Sequence, residues 1–332
     1  MSFIIRKPGL LATVQDLGRY GHQKYGVSAS GAMDPAAART ANLLVGNDGT
    51  AAVLELTLAG AELAAEEDAL IAICGGDMAP HMDGSPVPQW RPVSLRQGSV
   101  LRFAARKSGC RVYVAAAGGF GVPLKLGSAS TYLRAGIGGL EGRALRAGDR
   151  LPVQPAKPGS LAAQMLAHFR TGAPAPHWHA EHFAVSHAGG AATVRAIAGP
   201  DAGALTAESR AALFGGEPFR LGVHSDRMGC RLDGPALELA APREPLSEAV
   251  ALGTVQLPPG GRPIVLLADR QTTGGYPKIA YAATVDIPVL AQLAPGDSVR
   301  FEEIALEEAE RLLLEAERDM AQLETALRLK FV

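Results

Sequence analysis

Apolar residues in the first half of the chain fall in short runs, Ala52 to Leu58, Ala69 to Cys74, Ser99 to Ala104 and Arg111 to Ala116, with Gly, Pro and Asp between them. Runs this short, punctuated this closely, predict an all-β barrel or sandwich rather than alternating strands and helices. One helix interrupts them early. Asp34 suits an N-cap, Pro35 the first helical position, and Ala36 to Val45 continues until Gly46-Asn47 stops it. The end of the chain has a different period. Leu306, Ala309, Leu313, Ala316, Met320, Leu323 and Leu327 alternate three and four apart, a heptad seam on a helix with Glu307–Arg311 and Glu324–Arg328 as supporting pairs. Such a helix either packs back on its own domain or offers its seam to a partner.

A turn pattern recurs three times, in Leu95 to Phe103, Leu145 to Val153 and Leu293 to Phe301. Each copy has Leu, two variable residues, Gly, a small polar residue and then an alternating strand, the layout of a tight turn feeding a barrel strand. A second correspondence links Val112 to Gly119 with Ile264 to Gly275. Two related β domains in tandem follow as the expectation: a first barrel over 1–155, a linker over 156–190, a second barrel over 191–304 and the C-terminal helix over 305–332. The linker is rich in Ala, Pro and Gly, with at most a short helix from Leu161 to Phe169.

Composition narrows the class without naming an activity. The 332 residues are 47% hydrophobic and 20% charged, with a formal net charge of -1, so nothing points to nucleic acid or an anionic membrane as partner. No window approaches the roughly 20 apolar residues of a membrane span. The N-terminus lacks the apolar core of a signal peptide, and Cys74, Cys110 and Cys230 read as free thiols, so a cytoplasmic location is expected.

The densest candidate chemistry lies where the apolar run Pro263 to Ala268 empties into Asp269, Arg270, Gln271, Thr272, Thr273, Gly274, Gly275, Tyr276 and Lys278. A buried strand ending this way sets polar groups at the rim of a core: Arg270 offers a planar fork, Lys278 a point charge, and the two glycines a close backbone approach. Its plainer alternative is a charged hairpin turn tied by an Asp–Arg pair. Asp226, Arg227 and Arg231 form a second compact charged group, which reads equally as an ion-paired turn. Asp34 follows a Ser-rich loop, and Tyr132 and Arg134 stand in the glycine-rich stretch Gly127 to Gly142. Neither the Walker pattern nor a dinucleotide fingerprint is present. Five of the eight histidines lie between His168 and His187, including His177-Trp-His179, but with no Asp or Cys to complete a set no metal site is expected.

Several of these motifs occur together in one known family. Thr13 to Arg19, Gly31 to Asp34, Ala41 to Asn47, Tyr132 to Gly139, Ser225 to Gly229, Ser247 to Val250 and Asp269 to Ala280 resemble the biotin-dependent carboxyltransferase family, which includes the C subunit of 5-oxoprolinase (the KipA type) and half of the urea amidolyase carboxyltransferase domain. The resemblance runs from Gly9 to about Phe301 and leaves out the last helix and the His-rich segment. Ser28-Ala-Ser30 and Asp201 depart from the usual family residues. The resemblance implies two cyclophilin-like β-barrel domains and a heteromeric assembly with a KipI-type B subunit, joined by an A subunit. It further implies ATP-dependent opening of 5-oxoproline to glutamate, with ATP and magnesium held here or jointly with the partner. In that chemistry Arg270, Lys278 and Arg227 would meet phosphate and carboxylate, Asp226 or Asp269 the lactam N–H, and the remaining polar residues around them, with Asp34, Tyr132 and Arg134, would line the substrate. Two other roles are compatible with the resemblance: carboxyl transfer from biotin to urea or a related amide, and sequestration of a KipI-type inhibitor.

Overall fold

The computed structural model describes residues 1–171, 175–180, 190–243 and 245–331. The chain is mainly β, with five α-helices among the described residues: α1 (Pro35–Leu44), α2 (Leu161–Thr171), α3 (Ala207–Gly215), α4 (Ile287–Gln292) and α5 (Leu306–Phe331). Its contacts divide it into two compact units. Unit 1 comprises Met1–Arg19, Ser30–Ala184 and Arg318–Val332; unit 2 comprises Tyr20–Ala29 and Val185–Glu317.

Unit 1 holds two antiparallel sheets. One runs in the order Arg150–Pro152, Ser2–Pro8, Ala61–Ala65, Val100–Phe103, Pro80–Met82, Ser85–Pro86; the other runs Leu11–Gln15, Val53–Thr57, Ser108–Ala116, Ala69–Asp77, Pro92–Leu95. Alternate residues of both sheets, among them Phe3, Ile5, Leu54, Leu56, Ile71, Ile73, Leu101, Phe103, Val112 and Val114, turn into one shared core. The opposite faces of Ala69–Asp77 and Ser108–Ala116 carry Leu70, Ala72, Tyr113 and Ala115 against α1 and α2. Helix α1 starts where its sequence predicts, with the Asp34 carboxylate accepting from Ala37 N at 2.9 Å and Pro35 in its first turn.

Unit 2 contains a closed barrel of seven strands, in the order Ala192–Ala198, Lys278–Ala282, Thr254–Gln256, Ile264–Leu266, Gly229–Asp233, Phe219–Leu221, Ser298–Glu303. It closes through a parallel pairing of Ser298–Glu303 with Ala192–Ala198. A two-stranded ribbon, Glu248–Ala249 with Thr273–Gly274, stands apart from the barrel sheet.

The three repeated turns share one hydrogen-bond exchange. Gly98, Gly148 and Gly296 all adopt positive φ, 83°, 90° and 91°. Their N–H groups donate to Ala65, Ile5 and Leu221, and each of those residues donates back to the carbonyl of Ser99, Asp149 or Asp297, directly after the glycine. The same local solution thus appears twice in unit 1 and once in unit 2.

The stretch expected to be a linker begins with α2, whose Ala162, Met165 and Phe169 are buried in unit 1. His168 packs edge-on against Phe331, beside Trp178; His177 and His179 are exposed, while His182 and His187 lie outside the described residues. Helix α5 resolves the two readings of its seam unevenly. Met320 and Leu327 are buried against Leu43 with Leu323 and Phe331 beside them, whereas Leu306 and Leu313 are exposed. Arg311 pairs with Glu308 and Glu315 rather than Glu307, and the expected Glu324–Arg328 pair forms.

Candidate functional site

The strand Ile264–Leu266 continues into buried Leu267, Ala268 and Asp269 because its ladder does not stop with it. Leu267 N donates to Met228 O and Asp269 N to Arg227 O, both at 2.8 Å. The two loops therefore run side by side, and their side chains meet. Arg227 Nε and Nη2 donate to Asp269 Oδ2 and Oδ1 at 2.9 and 3.1 Å, a bidentate pair whose side chains are 6% and 7% exposed. Two buried ions so matched neutralise each other. Asp269 and Arg227, expected to face a ligand, thus form the ion pair that locks the loops. Asp226 is exposed, and its Oδ1 accepts from Met228 N at 2.8 Å and Gly229 N at 3.3 Å, which turns the chain into strand Gly229–Asp233.

Arg270 is different. It is 8% exposed, its Nη1 donates to the Leu267 carbonyl at 3.3 Å, and no carboxylate pairs with it among the described residues. Burial pulls its pKa below the ordinary arginine value, and the Tyr20 phenol nearby partly offsets this. A buried guanidinium that burial penalises is the natural seat of an anion.

Lys278 opens the strand Lys278–Ala282. Its N–H donates to Asp201 Oδ2 at 2.8 Å, while Arg243 Nη2 holds the other oxygen of this buried carboxylate at 3.1 Å. The Lys278 ammonium donates to Glu248 on the ribbon. That bond holds the Glu248 carboxyl below its ordinary pKa.

Residues Gln271 to Tyr276 form and flank the ribbon. Glu248 pairs with Gly274 and Ala249 with Thr273, and Val250 N donates to Thr272 O at 3.1 Å. Thr273 and Tyr276 are exposed; Thr272, Gly274 and Gly275 are half-buried. Gln271 Nε2 reaches Gln256 Oε1 at 3.4 Å. Gln256 is 1% exposed, and its own Nε2 has no hydrogen-bond partner among the described residues. A Cβ on Gly274 would come within 2.4 Å of that nitrogen, so only glycine lets the ribbon lie there. Gln256 escapes sequence reasoning; the available signal is one amide in the apolar-flanked strand sequence Thr254-Val-Gln-Leu257.

Asp34, Tyr132 and Arg134 belong to unit 1. The Asp34 carboxylate is taken up by the α1 cap, and Asp34 N donates to the Tyr113 hydroxyl at 2.8 Å, which donates in turn to Glu55 at 2.8 Å. Burial, then Glu55, pushes the Tyr113 pKa well up. Tyr132 is half-buried and bridges to Ile137, with Arg134 exposed between them. The glycine-rich stretch is tied to the loop at Asp16: the Ser128 and Ser130 hydroxyls and Ala129 N all donate to the Asp16 carboxylate. Gly138 (φ 75°) lies so near this loop that a Cβ would sit 1.9 Å from Ser130 O. Among the described residues, no group of three or more His, Cys, Asp or Glu is placed to hold a metal ion.

Comparison with known proteins follows the same line. The chain is 39% identical over 320 residues to the C subunit of 5-oxoprolinase from Escherichia coli (strain K12), an alignment covering 96% of each. It is 39% identical over 301 residues to the C subunit of 5-oxoprolinase from Haemophilus influenzae, covering 91% of each. The solved K. lactis urea amidolyase superposes with a TM-score of 0.85 at 27% identity, over 97% of this chain and 20% of that one. Residues 25–303 match the model described as carboxyltransferase domain, subdomain A and B, and the chain belongs to that family.

Proposed function

We propose that this chain is the C subunit of an ATP-dependent 5-oxoprolinase complex that opens 5-oxoproline to glutamate in the cytoplasm, together with a KipI-type B subunit as well as an A subunit. The observation that carries the reading is Arg270, a buried guanidinium without a carboxylate partner among the described residues. The substrate brings a carboxylate, and its activation brings a phosphoryl group; a bidentate fork in a dry setting suits either. In this chemistry the γ-phosphoryl of ATP, accompanied by magnesium, passes to the lactam oxygen. Water adds at the activated carbon and the C–N bond breaks, the nitrogen taking up a proton; a second water then cleaves the acyl phosphate to glutamate and phosphate. Arg270 orients and neutralises an anion, Lys278 supplies a second cation, and the Arg227–Asp269 pair fixes the loop that carries Arg270. Two relatives named as the C subunit of 5-oxoprolinase align over nearly their full lengths, which supports this reading over the amidolyase one.

A second reading, biotin-dependent carboxyl transfer to urea or a similar amide, has the superposition on urea amidolyase in its favour. The test mixes this chain with its B and A homologues, ATP and 5-oxoproline, and follows glutamate and ADP. Glutamate formation that needs all three chains, and that Arg270→Ala lowers at least about a hundredfold, supports the proposal. Full activity of Arg270→Ala removes this placement of the site; no turnover, with carboxylated urea formed once a carboxybiotin-loaded carrier is added, replaces the reaction.

A further inference from the structure

The motif Ser247 to Val250 supplies one strand of the ribbon and with it the one acidic partner of the Lys278 ammonium among the described residues. The two ends of this ion pair are unequal. Lys278 has a 6% exposed side chain on a barrel strand, and its backbone is fastened at Asp201 independently of the ribbon. Glu248 has a 66% exposed side chain and sits on a strand two residues long that pairs with Thr273–Gly274. Withdrawing Glu248 costs its carboxylate little, since most of it is already in water. The same withdrawal strands a buried ammonium. On the paired strand stands a second group in want of a partner. Gln256 is the cross-strand neighbour of Lys278, and its buried Nε2 makes no hydrogen bond among the described residues while Gly274 of the same ribbon lies against it. A single displacement of the ribbon thus uncovers a cation and an amide donor together.

We propose that Glu248 is a displaceable internal anion, and that Lys278 with Gln256 forms a binding subsite for a small acid bearing an acceptor oxygen beside its anionic group. The incoming anion takes the place of the Glu248 carboxylate on Lys278, its neighbouring oxygen accepts from Gln256 Nε2, and the ribbon moves aside. A lactam acid has this chemistry, so the identity of the ligand rests on the proposed function, whereas the exchange at Lys278 does not.

The experiment titrates the full-length chain with 5-oxoproline and, separately, with inorganic phosphate, by calorimetry and thermal unfolding, in wild type, Glu248→Gln, Lys278→Met and the double variant. The expected result is that Glu248→Gln melts lower without added anion, regains its stability on addition, and binds the probe about threefold to tenfold tighter than wild type. That gain disappears in the double variant, and Gln256→Leu weakens 5-oxoproline binding more than phosphate binding. Hydrogen exchange on the wild type needs no variant to fold: saturating probe speeds exchange of the Ala251 amide, whose bond to Thr254 Oγ1 ties the ribbon to the barrel. Equal or weaker binding by Glu248→Gln, a gain that survives loss of Lys278, or unchanged Ala251 exchange at saturation overturns the proposal. If Glu248→Gln tightens phosphate while the reconstituted complex leaves 5-oxoproline intact, the subsite stands and the oxoprolinase reading falls. If the complex turns over 5-oxoproline with the same KM in wild type and Glu248→Gln, the subsite falls alone.

Discussion

Replacing Asp269 by asparagine keeps the shape of the side chain and removes its charge, leaving the Arg227 guanidinium opposite a neutral amide in a place that admits almost no water. Both partners are more than nine-tenths buried and joined by two hydrogen bonds of 2.9 and 3.1 Å. Breaking such a pair from one side costs about 3–5 kcal/mol. For a unit the size of unit 2, each kcal/mol moves the melting midpoint by roughly 3 °C, so Asp269→Asn should melt roughly 10–15 °C lower. Differential scanning calorimetry of the whole chain reads this as a shift of the transition belonging to unit 2. The double variant Arg227→Met, Asp269→Leu removes both charges and should recover most of the loss, because an apolar pair of similar volume carries no desolvation penalty. The reasoning fails if Asp269→Asn melts within about 2 °C of wild type, or if the double variant is less stable than the single one.

Gly138→Ala places a methyl carbon 1.9 Å from Ser130 O at a φ of 75°. Unit 1 should therefore lose several kcal/mol, on the order of 3 or more, seen as a lower urea midpoint, whereas Gly127→Ala, with open space around it, should cost much less. Asp149 has its carboxyl held below the ordinary range first by the Arg143 guanidinium and also by Arg146 N–H. A folded pKa below the unfolded one stabilises at pH values above the unfolded carboxyl range of about 4 and is lost as pH falls through the folded pKa. Asp149→Asn should accordingly be less stable than wild type at pH 7, and the gap should close on acidification below about pH 4 in pH-dependent thermal melts.

Much of this was legible because it is local. Helix α1 announces itself through Asp34, Pro35 and its apolar spacing, and the three glycine turns show in the sequence the exchange they make in the fold. The charged segment after Ala268 was visible as a cluster, but its internal accounting was not. Asp269 finds its partner 42 residues away in Arg227, Lys278 finds Glu248, and Arg270 is left to burial. Charge signs along a sequence do not reveal which cation an acid has already claimed. Gln256 was missed for a related reason, since a buried amide is conspicuous only when the strands beside it are known. Within the expected linker 156–190 the short helix from Leu161 was legible, but its packing was not, because the residues it meets lie far away in α1 and α5.

Those distant residues bear on how the protein is made. Met320, Leu323, Leu327 and Phe331 pack on unit 1, whose first residues are also the first of the chain. A ribosome delivers the sequence in order, so unit 1 waits for Met320 to Phe331, while the strands of unit 2 emerge in between. Leu43 and Leu161, which those residues cover, stay open to other chains until those residues emerge. Synthesis stalled between unit 2 and Met320 should thus leave this face of unit 1 uncovered, although its own strands are already made.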